Sequence, residues 1–149
     1  MSRRATYSVR EVDTLAPPVV RTPRLSLWFL RTVLTVHLVA VLAQPVLAGL
    51  FLTGDVDAIT VHGTIGTFVA LFGLVVVAAT IAYALGGRGR LWALPVAVVL
   101  FLAEGFQVGM GYARQLQIHV PLGVAIVTTA VLLAIWVWSP SARRPRGAR

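Results

Sequence analysis

The chain has 149 residues, 58% hydrophobic and 12% charged, with a formal net charge of +8. A soluble domain of this size cannot hide so much apolar side chain, so the bilayer is the expected solvent, and too little sequence is left for a separate catalytic domain. Cysteine is absent, which excludes thiolate metal sites, iron–sulfur clusters, disulfides and covalent haem attachment.

The positive charge is clustered. All 13 basic residues are arginine: six lie between Arg3 and Arg31, two are Arg88 and Arg90, four run from Arg143 to the end, and Arg114 stands alone. Such clusters flank membrane spans, and no nucleic-acid partner is expected. Under the positive-inside rule both termini and the loop at 86–90 face the cytoplasm, and Trp28, Trp92, Trp136 and Trp138 belong to that same interface. The expected location is the cell membrane, with the lipid bilayer as the immediate partner.

Residues 1–24, with Pro17, Pro18, Pro23 and mixed charges, read as a disordered cytoplasmic tail. The first apolar run, about 25–52, is too long for a signal-peptide core and follows a polar leader, so it is expected to stay as a span. Arg31 lies near enough to its cytoplasmic end to snorkel. His37 and Gln44, seven residues apart, share a face with Ala40 and Ala48, and Pro45 is expected to kink the helix.

The second span, about 59–85, carries His62, Gly66, Gly73 and Thr80 on one face; the third, about 91–112, carries Glu104, Gln107 and Gly111. The fourth, about 118–138, repeats the pattern with His119, Gly123, Ala130 and Ala134, and residues 139–149 form a basic cytoplasmic tail that fixes topology or touches anionic lipid. Small-residue faces let helix backbones approach closely in lipid. Short loops make sequential helices antiparallel neighbours. The expected fold is all-α, an integral membrane up-down four-helix bundle with both termini inside.

Two segments match each other: His62-Gly63-Thr64-Ile65-Gly66 and His119-Val120-Pro121-Leu122-Gly123. Each histidine opens a descending helix, follows an ascent whose last part runs from Gln44 to Gly49 or from Gln107 to Gly111, and precedes a glycine by one turn. Imidazoles at one depth on two helices suit the two axial positions of a haem b, with Gly66 and Gly123 leaving room for the macrocycle. Arg114, on the outer loop, is placed to meet a haem propionate. The bland alternative is that both histidines cap or solvate helix ends.

His37, Glu104, Gln44 and Gln107 are candidate proton or quinone contacts, or else a hydrogen-bonded packing network, because an isolated intramembrane charge is expensive. A zinc site built from His62, His119 and Asp57 is less favoured for want of carboxylates. Gly86-Gly87-Arg88-Gly89-Arg90 lacks the spacing of a phosphate loop. No nucleophile–base constellation is present, so enzymatic activity is left open.

With histidines on its second and fourth helices, the chain resembles four-helix membrane cytochrome b modules, in particular one half of a haem A synthase. It is also similar to small bacterial four-span membrane proteins that share the Leu42-Ala43-Gln44, Leu47-Ala48-Gly49, His62 and His119 elements. The resemblance spans roughly 25–138 and implies bis-histidine haem ligation. Synthases typically carry an arginine after the second-helix histidine and a nearby glutamate, where this chain has Thr60-Val61-His62-Gly63, and they have two bundles. Haem A synthesis itself is therefore not expected. With three histidines the chain also falls short of the ligands for two haems.

The functional expectation is a haem b protein for electron transfer or haem handling at the outer leaflet, working with a quinone or a larger membrane complex. The alternatives are a cofactor-free accessory subunit of such a complex and a proton-linked small transporter using His37 and Glu104.

Overall fold

The computed structural model describes residues 24–147. Helix α1 spans Arg24–Leu52, α2 Asp57–Ile81, α3 Ala93–Tyr112, α4 Leu116–Trp138 and a short α5 Pro140–Arg143; a π-helical turn, Ala82–Gly86, extends α2. The disordered-tail expectation falls almost wholly on residues 1–23, outside the described ones.

Helix ends follow local chemistry. Asp55 Oδ1 accepts the backbone N–H groups of Asp57 and Ala58 at 3.2 and 3.3 Å, which starts α2 two residues before the apolar run. Pro95 falls in the first turn of α3, where a missing N–H costs little. Pro140 ends α4 and opens α5.

Helices α1 to α4 are each long and apolar enough to cross a membrane. Each packs on two neighbours in the order α1–α2–α3–α4 and back to α1, leaving α1 facing α3 and α2 facing α4 across the axis. One half of the bundle is a tight apolar core of Leu30, Leu34, Val76, Leu100, Leu133 and Val137. The outer girth keeps large apolar side chains exposed, with Val39 at 65%, Phe68 at 66% and Leu132 at 61%. That is the reverse of a soluble surface.

All four tryptophans gather at the core end. Trp28 meets Trp138 edge-on with centroids 5.6 Å apart, and Trp92 meets Trp136 at 4.6 Å. Arg31 does not snorkel out of this end; it is 3% exposed. Its guanidinium lies 4.9 Å from the Trp28 ring and 4.8 Å from that of Trp138, and Nε donates to Val137 O at 3.0 Å. Two aromatic faces and a carbonyl hold the cation better than the long reach to water, since a desolvated cation–π contact is worth about 2 kcal/mol.

The basic tail is also more than loose charge. Helix α5 folds back so that Ala142 is fully buried, Tyr83 Oη donates to Ala142 O at 3.0 Å, and Arg146 N–H donates to Arg88 O at 2.8 Å. Gly89 lies flat on the Tyr83 ring, where any Cβ would collide with it.

Candidate cofactor site

The opposite half of the bundle is hollow. A cavity of about 530 Å³ opens there, with Gln44, His62, Glu104, Gln107 and His119 on its walls. Its volume lies within the range of small-molecule and cofactor pockets, about 300–1,000 Å³.

His62 on α2 and His119 on α4 face each other over this cavity, ring centroids 6.1 Å apart and planes inclined at 64°. They span the diagonal between two helices that barely touch through their backbones. Each ring is fixed in the same way by the glutamine of the ascending helix before it. His62 Nδ1 lies 3.1 Å from Gln44 O, and His119 Nδ1 lies 3.0 Å from Gln107 O. A carbonyl can only accept, so Nδ1 carries the proton in both rings. That leaves the lone pair on Nε2, which no hydrogen bond among the described residues engages.

The glycines complete the cradle. The His119 ring rests on Gly111, where a Cβ would come within 3.0 Å of Cε1. Beside Gly66 and Gly123 the space nearest the backbone holds the two glutamine side chains: a Cβ at Gly66 would sit 3.3 Å from Gln44 Oε1, and one at Gly123 2.9 Å from Gln107 Nε2. Gln107 Nε2 in turn donates to His119 O at 2.9 Å. Each glycine therefore lets a glutamine reach the helix that bears the histidine.

No family model, curated protein or solved structure matches this chain. The chemistry of the site must be argued from the donors themselves. Among the described residues no three His, Cys, Asp or Glu side chains cluster to hold a metal ion. The zinc arrangement with Asp57 is therefore not formed. Two neutral imidazoles cannot fill the coordination sphere of a bare ion, which takes four ligands in a zinc site. They do suit a metal whose other ligands come from a macrocycle. Metal–imidazole bonds run about 2.0–2.1 Å, so rings whose centroids lie 6.1 Å apart are near enough that both could reach one metal. Pinning Nδ1–H to a backbone carbonyl is also the usual outer-shell support of a ligating histidine.

Arg114 occupies the α3–α4 turn with φ +56°, exposed and away from the cavity lining. Tyr112 does line the cavity, its hydroxyl 3.6 Å from where a Gly63 Cβ would stand; nothing in the sequence pattern points to it beyond its place at the end of α3.

His37 and Glu104 form the second diagonal, from α1 to α3. Nε2 lies 2.8 Å from Oε1, and the two side chains are 1% and 3% exposed. The approach is not aligned as a hydrogen bond, and neither His37 Nδ1 nor Glu104 Oε2 has another partner. His37 stacks on Phe72 at 6.3 Å, and Glu104 Oε2 fills the notch at Gly73. Only Glu104 of this pair reaches the cavity wall.

Proposed function

We propose that this chain is a multi-pass membrane protein, both termini cytoplasmic, which binds one haem b between His62 and His119. The observation that carries this reading is the matched pair of imidazoles. They are 6.1 Å apart over a common cavity, each with Nδ1–H committed to a carbonyl and Nε2 free. The apolar girth and the arginine-flanked tryptophan end support the membrane placement and its sidedness.

When bound, such a group supplies one-electron redox chemistry, and the protein supplies ligation and surroundings. In this reading His62 and His119 would hold the group through Nε2, and the Gln44 and Gln107 carbonyls fix their tautomer. The walls between these polar groups are apolar. Arg114 is an exposed cation on the same end and the natural counter-charge for an acidic edge of the ligand. Electron transfer or haem handling at the outer leaflet, with a quinone or a larger membrane complex as partner, is the role this arrangement suits.

The test is an optical spectrum of protein purified from haem-sufficient cells. A Soret band with the reducible α and β bands of a six-coordinate low-spin haem b is expected. Purified protein without such bands, even after reconstitution with haem, sinks the reading in favour of a cofactor-free accessory subunit.

A further inference from the structure

The His37–Glu104 pair is not needed to hold the two facing histidines, yet both its side chains are almost wholly buried in the bundle. We propose that it is a single-proton site: the pair carries one titratable proton, resident on Glu104 or on His37, which is exchanged through the cavity beneath His62 and His119. The membrane setting rests on the reading above, but the proton site does not require haem.

Three observations carry it. The first is the contact itself: 2.8 Å between a carboxyl oxygen and an imidazole nitrogen, with both side chains almost wholly out of reach of solvent. Burial opposes any net charge, so the pair is held at zero net charge, as imidazole with carboxylic acid or as imidazolium with carboxylate. Both forms contain one proton. Losing it or gaining a second leaves a net charge in an apolar interior.

The second is the lack of competing partners. Among the described residues nothing else bonds His37 Nδ1 or Glu104 Oε2. Helix α2 brings Phe72 and Gly73 against the pair, and α4 lines the cavity there with Ile126, Val127 and Thr128, none of them charged. The remaining titratable groups on the cavity, His62, His119 and Tyr112, belong to its other end. A structural ion pair is usually completed by further donors and acceptors; this one is left bare.

The third is the route. Glu104 forms part of the cavity wall, and Gly111, against which His119 rests, lies seven residues along α3, about 10 Å by helical rise. Between them Gln44 Nε2 and Gln107 Oε1 are buried polar atoms with no hydrogen-bond partner. These are the polar rungs a water-borne proton needs in an otherwise apolar wall. Toward the tryptophan end the same interior is closed by Leu30, Leu34, Leu100 and Leu133. Access is one-sided.

Infrared spectroscopy of the full chain in lipid nanodiscs, with carboxyl-labelled glutamate, reads the site directly. Only Glu11 and Glu104 carry the label, and Glu104→Gln identifies the band. In His37→Gln the Glu104 carboxyl is expected to give a protonated band without the displacement or loss that the neighbouring imidazole imposes on the wild type. An identical Glu104 band in wild type and His37→Gln overturns the single-proton pair. A carboxylate band in His37→Gln at neutral pH overturns the burial argument. For the route, transfer into heavy water should shift the wild-type signal promptly, and Gln107→Leu should slow that exchange several-fold. Unchanged exchange in Gln107→Leu overturns access through the cavity. Thermal unfolding of each variant separates these outcomes from simple misfolding. Loss of haem with an intact proton signal would count against the haem reading alone.

Discussion

His37 on α1 and Glu104 on α3 meet across the bundle axis, 2.8 Å apart, while His62 and His119 meet across the other diagonal with ring centroids at 6.1 Å. The two diagonals lie at different levels of one bundle. Glu104 and the histidine pair share the same cavity, and beyond the buried pair begins the apolar core. Two crossing polar contacts in an apolar bundle set its helix order, because a register slip in any one helix would strand a buried polar group.

The energetics of the His37–Glu104 contact are testable by a double-mutant cycle. Removing one partner leaves the other buried and unpaired, a loss of about 3–5 kcal/mol, whereas replacing both by apolar residues of similar size is close to neutral. His37→Leu and Glu104→Leu should each lower the unfolding midpoint well below that of the double variant. Strictly additive losses would mean that the two side chains do not interact.

The ligand assignment predicts an ordering among the three histidines. His62→Ala and His119→Ala should each abolish the low-spin spectrum or convert it to a high-spin one. His37→Ala should keep it, since His37 does not line the cavity. Arg114→Ala should shift the midpoint potential or loosen haem without changing the ligands. Loss of the spectrum in His37→Ala with retention in His119→Ala, in proteins of equal melting temperature, would assign the ligands to other helices.

Much of this was legible in the sequence. Hydropathy marks four spans whose ends the structure moves by at most two residues once the π-helical turn Ala82–Gly86 is counted with α2, whose α-helical part stops at Ile81, because long apolar runs leave few alternatives. The H-x-x-x-G pattern singled out His62 and His119, and a regular helix puts Gly66 and Gly123 beside them. What the pattern could not give was the rotamer and the partner. That Gln44 and Gln107 offer their backbone carbonyls, and that their side chains occupy the notches at the glycines, depends on the vertical offset of neighbouring helices, which hydropathy leaves free. Arg31 departs from the expected reach to water for a similar reason. Its distance from the helix end is compatible with snorkelling, and only the approach of α4 brings Trp138 and Val137 close enough to hold it.

Sidedness is open to direct measurement. The tryptophan cluster, the π-helical turn and α5 share one end with Arg88, Arg90 and Arg143, and Asp55 lies in the α1–α2 turn at the other. Alkaline phosphatase and green fluorescent protein fusions after residue 147 and at Asp55 should report opposite compartments, with the C-terminal fusion cytoplasmic. A cytoplasmic Asp55 would invert the molecule and put the cavity at the inner leaflet.

One hydroxyl joins the C-terminal fold-back to both the bundle and the 86–90 loop. Tyr83 Oη donates to Ala142 O and accepts the Arg90 N–H at 3.2 Å, tying three segments together. Tyr83→Phe removes both bonds without changing shape and should cost about 1–3 kcal/mol, since it leaves a buried carbonyl and an amide unpaired. Local release of the tail should follow. Cleavage by trypsin after Arg143 should therefore quicken in Tyr83→Phe while the four-helix core keeps its protection from hydrogen exchange. Equal cleavage rates would show that α5 is held by other means.

The last prediction separates the two glycines of the matched motifs. Their sequence contexts are alike, but the clearances differ: a Cβ at Gly66 meets Gln44 Oε1 at 3.3 Å, and one at Gly123 meets Gln107 Nε2 at 2.9 Å. Gln107 Nε2 is already committed to His119 O at 2.9 Å, whereas Gln44 Nε2 has no partner and its side chain is free to turn aside. Gly66→Ala should thus be absorbed by a small rotation. Gly123→Ala must break the Gln107 bond and disturb the carbonyl that orients His119, at an expected cost of about 1–3 kcal/mol. Haem occupancy after purification, taken as the ratio of Soret to protein absorbance, should stay near wild type in Gly66→Ala and fall several-fold in Gly123→Ala. Gln107→Ala/Gly123→Ala should fare no worse than Gln107→Ala, because the clash disappears with the amide. If Gly66→Ala is the more damaging of the two, the glutamine clasps do not position the histidines.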